Sequence, residues 1–269
     1  MTLFFGVEIF IIGLLVGSFL NSVIYRLEKK ESFFKGRSYC PKCQNHLAWP
    51  DLIPVFSFLI LRRKCRYCGE KISLQYPLVE LATALIFLQI FNFQFSIFSQ
   101  PPIYQFLNLI YYWIAASFLI IIFVYDLKYY LIPDKIVFPG IIISFLYRLL
   151  EVWNLPVPFK AESFLAAGLA ILPSFFFLVI ILLSQGRWMG LGDFKLAIFM
   201  GLFLGWPNIL AALFFAFLIG AIIGLGLIFL GKKSLKSEIP FGPFLVTGTF
   251  LGLFFGQGLT DWYFNLFLL

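Results

Sequence analysis

Two aspartates stand at the edges of hydrophobic stretches in a chain that has few charges. Asp126 ends the stretch FVYD, and Asp193 lies in MGLGDFKL, residues 189–196. An ionisable side chain at membrane depth costs roughly 2.5–3.5 kcal/mol on insertion scales, so it is a functional candidate by default. Two carboxyls that share a proton can hydrolyse a peptide bond, because one takes a proton from water while the other polarises the scissile carbonyl. The simpler alternative is that Asp193 only caps a helix after a glycine turn.

The helix ends predict different roles for the two carboxyls. Asp193 opens a predicted helix, whose partial positive charge favours the ionised form, whereas Asp126 ends one, where a negative charge is disfavoured. We therefore expect Asp193 to act as the base and Asp126 to be the protonated partner. The chain has a single histidine, His46, which argues against catalysis by a Ser–His pair or a histidine-bound metal.

All four cysteines occur as two Cys-x-x-Cys pairs, CPKC at 40–43 and CRYC at 65–68, with 21 residues between the pairs. This is close to the spacing of a tetrahedral zinc site. Four sulfur ligands would close the site, so the predicted zinc is structural, bound by Cys40, Cys43, Cys65 and Cys68. Two disulfides or four free thiols are the alternatives, and a reducing cytosol disfavours the disulfides.

The elements that carry these residues are predicted to be membrane helices. The chain has 269 residues, 61% of them hydrophobic and 12% charged, where a soluble protein has about 25% charged residues. We expect an all-α polytopic membrane protein with about eight transmembrane helices and a small cytoplasmic zinc-binding insert. The hydrophobic runs are 3–25, 78–98, 105–125, 136–150, 161–183, 195–206, 208–230 and 242–260. The predicted domains are the first helix at 1–25, the insert at 26–77 and the bundle with the aspartates at 78–269.

The basic residues predict the orientation of these helices. With alternating helices, 18 of the 20 Lys and Arg residues fall on the side of the insert, and only Arg148 and Lys160 fall opposite. Basic residues concentrate on the cytoplasmic side, so we expect both termini outside and both aspartates at the cytoplasmic boundary. The net charge of +7 then reflects topology, and no nucleic-acid partner is expected.

Six motifs in order resemble the type IV prepilin peptidases, membrane aspartyl proteases of the GxGD type. They cover nearly the whole chain and are highly specific together: GSFLNSVIYRL at 17–27, the two cysteine pairs, ISLQYPLVELAT at 72–83, DLKYYLIPD at 126–134, GLGDFKLA at 190–197 and IPFGPFLVTG at 239–248.

The resemblance implies that Asp126 and Asp193 are the catalytic pair of a bacterial inner-membrane enzyme. Such enzymes cleave a basic leader from prepilins or from the pseudopilins of type II secretion, after a glycine. Zinc-bearing members commonly also methylate the new N-terminus with S-adenosylmethionine. Many relatives carry a further acid two positions after the first aspartate, where this chain has Lys128. Asp134 matches the family and is the weaker catalytic candidate.

Three other functions compete with this interpretation. A membrane methyltransferase or other zinc-bearing membrane protein would leave a prepilin uncut. A proton-coupled transporter without enzymatic activity would use the aspartates as proton carriers, but two related halves with broken helices are not evident. A presenilin-like protease of another substrate class would share GxGD but lack the cysteine insert. All three alternatives are membrane proteins, so membrane lipid surrounds the helices in each of them.

Overall fold

Eight long helices make up most of the computed structural model, which describes residues 2–33, 36–95, 102–153, 161–187, 189–231 and 239–267. A short 3₁₀ turn at Trp49–Leu52 and the short helix α2 (Phe56–Ile60) lie between the first two long ones. Within the described ranges, β-structure is limited to two isolated bridges. The long helices are α1 (Thr2–Lys29), α3 (Gln75–Phe95), α4 (Pro102–Tyr129), α5 (Asp134–Trp153), α6 (Ala161–Ser184), α7 (Leu191–Leu204), α8 (Asn208–Phe229) and α9 (Gly242–Phe267).

Each of the eight predicted hydrophobic runs corresponds to one long helix, which confirms the all-α polytopic architecture. Among the residues that the structure describes, five helices are long and apolar enough to cross a membrane: Phe5–Lys29, Gln75–Phe93, Gln105–Tyr129, Asn208–Phe229 and Gly242–Leu266. The helix that carries Asp193, α7, has only 14 residues. At 1.5 Å per residue it is about 21 Å long, shorter than the roughly 30 Å hydrocarbon core.

The chain forms two compact units, Met1–Ile121 and Ile122–Leu269, which divide within α4. In the first unit, α1 packs closely on α3. A Cβ added at Gly13 would lie 2.5 Å from the Cα of Ala84, and one at Gly17 would lie 2.6 Å from the Cα of Glu80. Small residues four apart let two helix backbones approach in this way. The division into domains at 1–25, 26–77 and 78–269 stays a prediction.

The centre of the second unit is α7, which contacts α5, α6, α8 and α9. Four of its side chains have 0% exposure, namely Leu196, Phe199, Met200 and Phe203. Close van der Waals packing of these large side chains against the neighbouring helices holds such a short helix in place, since helices in lipid associate through packing rather than through the hydrophobic effect.

One neighbour, α5, holds α7 at both of its ends. At the N-terminal end, Lys195 Nζ lies 2.7 Å from Asp134 Oδ1. At the C-terminal end, the guanidinium of Arg148 donates to the carbonyls of Leu202 at 2.8 Å and Phe203 at 3.0 Å. A cation that binds the last carbonyls of a helix satisfies orphan acceptors and complements the helix dipole. The position of Asp193, at the start of α7, is therefore fixed along the helix axis.

Candidate active site and metal centre

Asp126 lies in the last turn of α4 and is 5% exposed. Its Oδ2 accepts the backbone N–H of Gly242, the first residue of α9, at 3.0 Å. A Cβ at position 242 would lie 2.5 Å from the same oxygen, so any other residue would push the carboxylate away. The motif IPFGPFLVTG had drawn attention to this stretch, but the sequence alone assigned Gly242 no role. The structure shows that Gly242 orients Asp126.

Asp193 is the third residue of α7 and is partly exposed. Its Oδ2 accepts the N–H of the N-cap residue Gly190 at 3.3 Å, and its own N–H donates to the carbonyl of Gly190 at 3.2 Å. The expected capping contribution is therefore present, although the cap residue is Gly190 rather than Asp193. One bond to Gly190 leaves the second carboxylate oxygen available for chemistry.

The loop after α4 links the surroundings of the two aspartates. A Cβ at Gly192 would lie 3.0 Å from the Cβ of Ile132, so this loop passes directly against the residue before Asp193. Ile132 follows Asp126 within the motif DLKYYLIPD. A glycine beside each aspartate thus permits a close approach of backbone or side chain that a larger residue would prevent.

Both aspartates lie in the second unit, Asp126 in the last turn of α4 and Asp193 in the first turn of α7. The loop after α4 lies against the residue before Asp193, so the surroundings of the two carboxyls adjoin. Carboxyls close enough to interact tend to share one proton. That Asp126 and Asp193 form such a pair, and the role of each in catalysis, stays a prediction.

The assignment of the proton within the pair also stays a prediction. Asp193 occupies the first turn of a helix, as expected for the base. However, Asp126 also accepts a backbone N–H, and its bond from Gly242 is the shorter of the two at 3.0 Å. Because N–H donors stabilise a charged carboxylate, the helix position and the hydrogen bonds favour opposite assignments.

Asp134, the weaker catalytic candidate, forms an ion pair with Lys195. The ion pair joins α5 to α7, and the Lys195 ammonium also lies 5.1 Å from the centre of the Phe138 ring. The Asp134 side chain is 60% exposed. These contacts indicate that Asp134 helps to position α7, and its place in catalysis stays a prediction.

The four cysteine sulfurs form a cluster in the first unit. Their Sγ atoms all lie within 4.8 Å of one another, and Cys40 Sγ lies 3.9 Å from Cys68 Sγ. A tetrahedral zinc with Zn–S distances of about 2.3 Å would hold sulfurs roughly 3.8 Å apart. The donor set and its dimensions therefore fit a divalent zinc ion. His46 is not part of this cluster; it forms an isolated bridge with Tyr39.

The two cysteine pairs use the same backbone geometry. In the first pair, Gln44 donates its N–H to the Cys40 carbonyl at 2.9 Å, and in the second, Gly69 donates to the Cys65 carbonyl at 3.0 Å. Both donors have positive φ, 58° for Gln44 and 72° for Gly69. The local turn thus aims both sulfurs of each pair to one side.

The thiols of the cluster differ in acidity. Burial raises the pKa of Cys40, but N–H groups of Cys43 and Lys42 and a hydrogen bond with Cys65 lower it to about 7. The N–H of Glu70 lowers the pKa of Cys68, but burial and the other three cysteine side chains raise it to about 12. Four sulfurs held this closely cannot all ionise unless a cation compensates their charge, which is what a bound metal provides.

These observations define a helical membrane protein with Asp126 and Asp193 in its second unit and, in its first, a four-cysteine cluster whose geometry could hold a metal ion. Known families match both parts. Residues 11–93, with all four cysteines, match the bacterial peptidase A24 N-terminal domain. Residues 113–225, with Asp126 and Asp193, match the type IV leader peptidase family.

Curated relatives match over almost the whole length of the chain. A prepilin leader peptidase/N-methyltransferase of Bacillus subtilis is 32% identical, covering 97% of this chain and 98% of the relative. A protein of the same name from Aeromonas salmonicida is 32% identical over 97% and 94%, and one from Myxococcus xanthus is 33% identical over 87% and 67%. No solved structure matches the chain significantly. The chain belongs to the type IV leader peptidase family.

Proposed function

We propose that this chain is a multi-pass inner-membrane peptidase that removes the leader from type IV prepilins or pseudopilins by means of Asp126 and Asp193. Family membership and the names of the relatives support the peptidase activity. The observation that supports the choice of residues is that Ile132, in the loop after the helix of Asp126, lies directly against Gly192, the residue before Asp193. Membership of a peptidase family argues against the transporter alternative.

The proposed reaction is a hydrolysis that needs only water and the two carboxyls. The ionised aspartate takes a proton from water, and the water oxygen bonds to the scissile carbonyl carbon. The protonated aspartate gives its proton to the carbonyl oxygen, which yields a tetrahedral diol. As the C–N bond breaks, the aspartate that protonated the carbonyl oxygen takes a proton back from the diol. The other aspartate gives its proton to the leaving nitrogen. The products are a carboxylic acid and a free amine.

The hydrogen bond from Gly242 supports this mechanism. It leaves Asp126 Oδ1 for the substrate or for the proton, because Oδ2 is already engaged. A carboxylate held at one oxygen presents the other in a fixed direction, which lowers the entropy lost on reaching the transition state.

Zinc is proposed to be structural. Cys40, Cys43, Cys65 and Cys68 would hold the ion, which when bound supplies folding free energy to a short insert with a small core. All four positions of a tetrahedral ion would be filled by sulfur, so a substrate cannot bind the metal.

N-methylation of the new N-terminus is proposed from the relatives' names alone. No described residue is therefore assigned to S-adenosylmethionine, and no step is derived through it.

The orientation is proposed from the basic residues. With both termini outside, the cysteine cluster and the aspartates face the cytoplasm, where the basic leader of a prepilin lies. The helices are solvated by lipid, and no nucleic-acid partner is proposed.

The test is mass spectrometry of a prepilin after incubation with the purified full-length chain in lipid nanodiscs, with and without S-adenosylmethionine. We expect loss of the leader in both samples and one added methyl group only when S-adenosylmethionine is present. A prepilin that remains intact in both contradicts the peptidase. Methylation without cleavage, on a substrate whose leader was removed beforehand, would support the methyltransferase alternative.

A further inference from the structure

The segment between the two cysteine pairs exposes many apolar side chains, although it belongs to no spanning helix. We name residues 49–60 the apolar segment. Its six large exposed side chains are Trp49 at 78%, Leu52 at 40%, Ile53 at 38%, Phe56 at 61%, Leu59 at 63% and Ile60 at 74%. Large apolar side chains that are exposed together in one short stretch of the chain indicate an interaction site.

The apolar segment is attached to the end of a membrane helix. The N–H of Val55 donates to Glu80 Oε2 at 2.8 Å, and Glu80 is the sixth residue of the candidate span Gln75–Phe93. Glu80 is 6% exposed and also bonds to Ser18 of α1. The segment therefore lies beside the first turns of α3, at the level where a spanning helix leaves the hydrocarbon core.

The backbone is strained at this attachment. Val55 has φ 61°, a conformation that a β-branched residue rarely adopts. The buried carboxylate of Glu80 holds Val55 in place, and the ion pair between Arg66 and Asp51 at 2.8 Å ties the start of the segment to the second cysteine pair. The segment is thus fixed in position rather than loosely attached.

Basic side chains follow directly after the apolar residues. Arg62, Arg63, Lys64 and Arg66 are all exposed, and the guanidinium of Arg63 lies 5.8 Å from the centre of the Phe58 ring. Within 49–66 the sole acidic residue is Asp51, which pairs with Arg66. Apolar side chains that include a tryptophan, next to a basic cluster, fit the headgroup region of an anionic membrane surface.

We propose that the apolar segment lies in the membrane interface and that Arg62, Arg63 and Lys64 contact anionic lipid headgroups. Trp49, Phe56, Leu59 and Ile60 enter the boundary between headgroups and acyl chains, to a depth of about 5–10 Å. The cysteine cluster is thereby held close to the bilayer by α1 and α3 and also by the apolar segment. This proposal concerns the first unit and does not depend on the aspartates.

The test measures how brominated lipid quenches the fluorescence of Trp49. Because the chain has six tryptophans, the contribution of Trp49 to the total fluorescence is measured as the emission that Trp49→Phe loses. We call this contribution the Trp49 share and define the Trp262 share in the same way. The full-length protein is placed in nanodiscs that contain phosphatidylglycerol, with acyl chains brominated close to the headgroup or left unmodified. Trp262→Phe is the matched control, because Trp262 is 60% exposed near the end of the span Gly242–Leu266.

We expect brominated lipid to quench the Trp49 share at least as strongly as the Trp262 share. Replacing phosphatidylglycerol by phosphatidylcholine, or changing Arg62, Arg63 and Lys64 to serine, reduces the quenching of Trp49 and leaves that of Trp262 unchanged. If Trp49→Phe does not fold, as shown by loss of bound metal, Phe56→Trp in the otherwise unaltered chain replaces it. The emission that this variant gains should then be quenched by brominated lipid.

Three results would contradict the proposal. Emission of Trp49 that is insensitive to brominated lipid in both compositions means that the apolar segment does not contact the bilayer. If that emission changes only when a prepilin is added, the segment is a surface for the substrate instead. Quenching that persists undiminished without anionic lipid and in the triple serine variant rejects the contact of the basic cluster with headgroups.

Discussion

The cysteine cluster and the aspartate pair differ in what brings their members together. Within each cysteine pair, a single turn with one positive-φ residue aims both sulfurs to the same side. Asp126 and Asp193 come from two helices, and their surroundings depend on contacts with Gly242 of α9 and with the loop residue Ile132. The first arrangement is mostly local, whereas the second requires α4, α7 and α9 to pack correctly.

This difference teaches which changes each site should tolerate. A local turn can form before the rest of the unit is folded, so a metal is needed mainly to join the two turns. A pair assembled by helix packing is sensitive to displacements of about 1 Å, which can cost roughly 100-fold in rate. Small changes in helix packing should therefore lower the rate of leader cleavage more than loss of the metal does.

The largest effect is expected from removing either carboxylate. Asp126→Asn and Asp193→Asn each keep the shape of the side chain but cannot supply the charge or the shuttled proton. We expect the rate of leader cleavage to fall by at least about 10³-fold in both variants, because losing one member of a catalytic unit disables the other members. The rates are measured by intact mass of a prepilin under single-turnover conditions.

The control for these variants is Asp134→Asn, which removes an acid of the same motif outside the pair. It loses the ion pair with Lys195, and we expect a change of only a few-fold, since partly exposed pairs contribute about 0–1 kcal/mol. If Asp134→Asn slows cleavage as much as Asp126→Asn does, Asp134 takes part in catalysis.

A smaller effect is expected from adding one methyl group at Gly242. In Gly242→Ala the new Cβ meets Asp126 Oδ2 at 2.5 Å, so the carboxylate moves and its N–H bond lengthens. We expect cleavage to slow by about 10–100-fold without loss of folded protein. The matched substitution Gly224→Ala lies in α8 with nothing within 4 Å of its Cβ and should leave the rate unchanged. Equal rates for the two variants would mean that Gly242 does not position Asp126.

The smallest effect on cleavage is expected from removing zinc. Chelation, or Cys68→Ser, should release one zinc per chain and make the insert sensitive to proteases, because the ion joins the two turns. Per folded molecule, the cleavage rate should fall less than it does in Gly242→Ala. Zinc content is measured by elemental analysis alongside the rate. A complete loss of cleavage in a chain that remains folded would make the cluster part of the active site.

Much of the fold follows from hydrophobic length alone, since each apolar run of the sequence corresponds to one long helix. The cysteine cluster was also predictable, because its geometry is encoded in two local spacings. The role of Gly242 was not, since a glycine in a motif does not reveal which distant carboxylate its N–H will meet. The same holds for the ion pair of Lys195 with Asp134 and for Glu80, whose partner Val55 lies in another segment. Long-range contacts of this kind depend on packing, which a single sequence does not specify.

The most direct test of the aspartate pair compares the single variants with the double variant Asp126→Asn, Asp193→Asn. If the two carboxyls form one catalytic unit, the double variant cleaves a prepilin as slowly as either single variant, because removing one carboxyl already disables the other. If the losses of the single variants multiply in the double variant, or if one single variant cleaves at the normal rate, the two residues do not act as a pair.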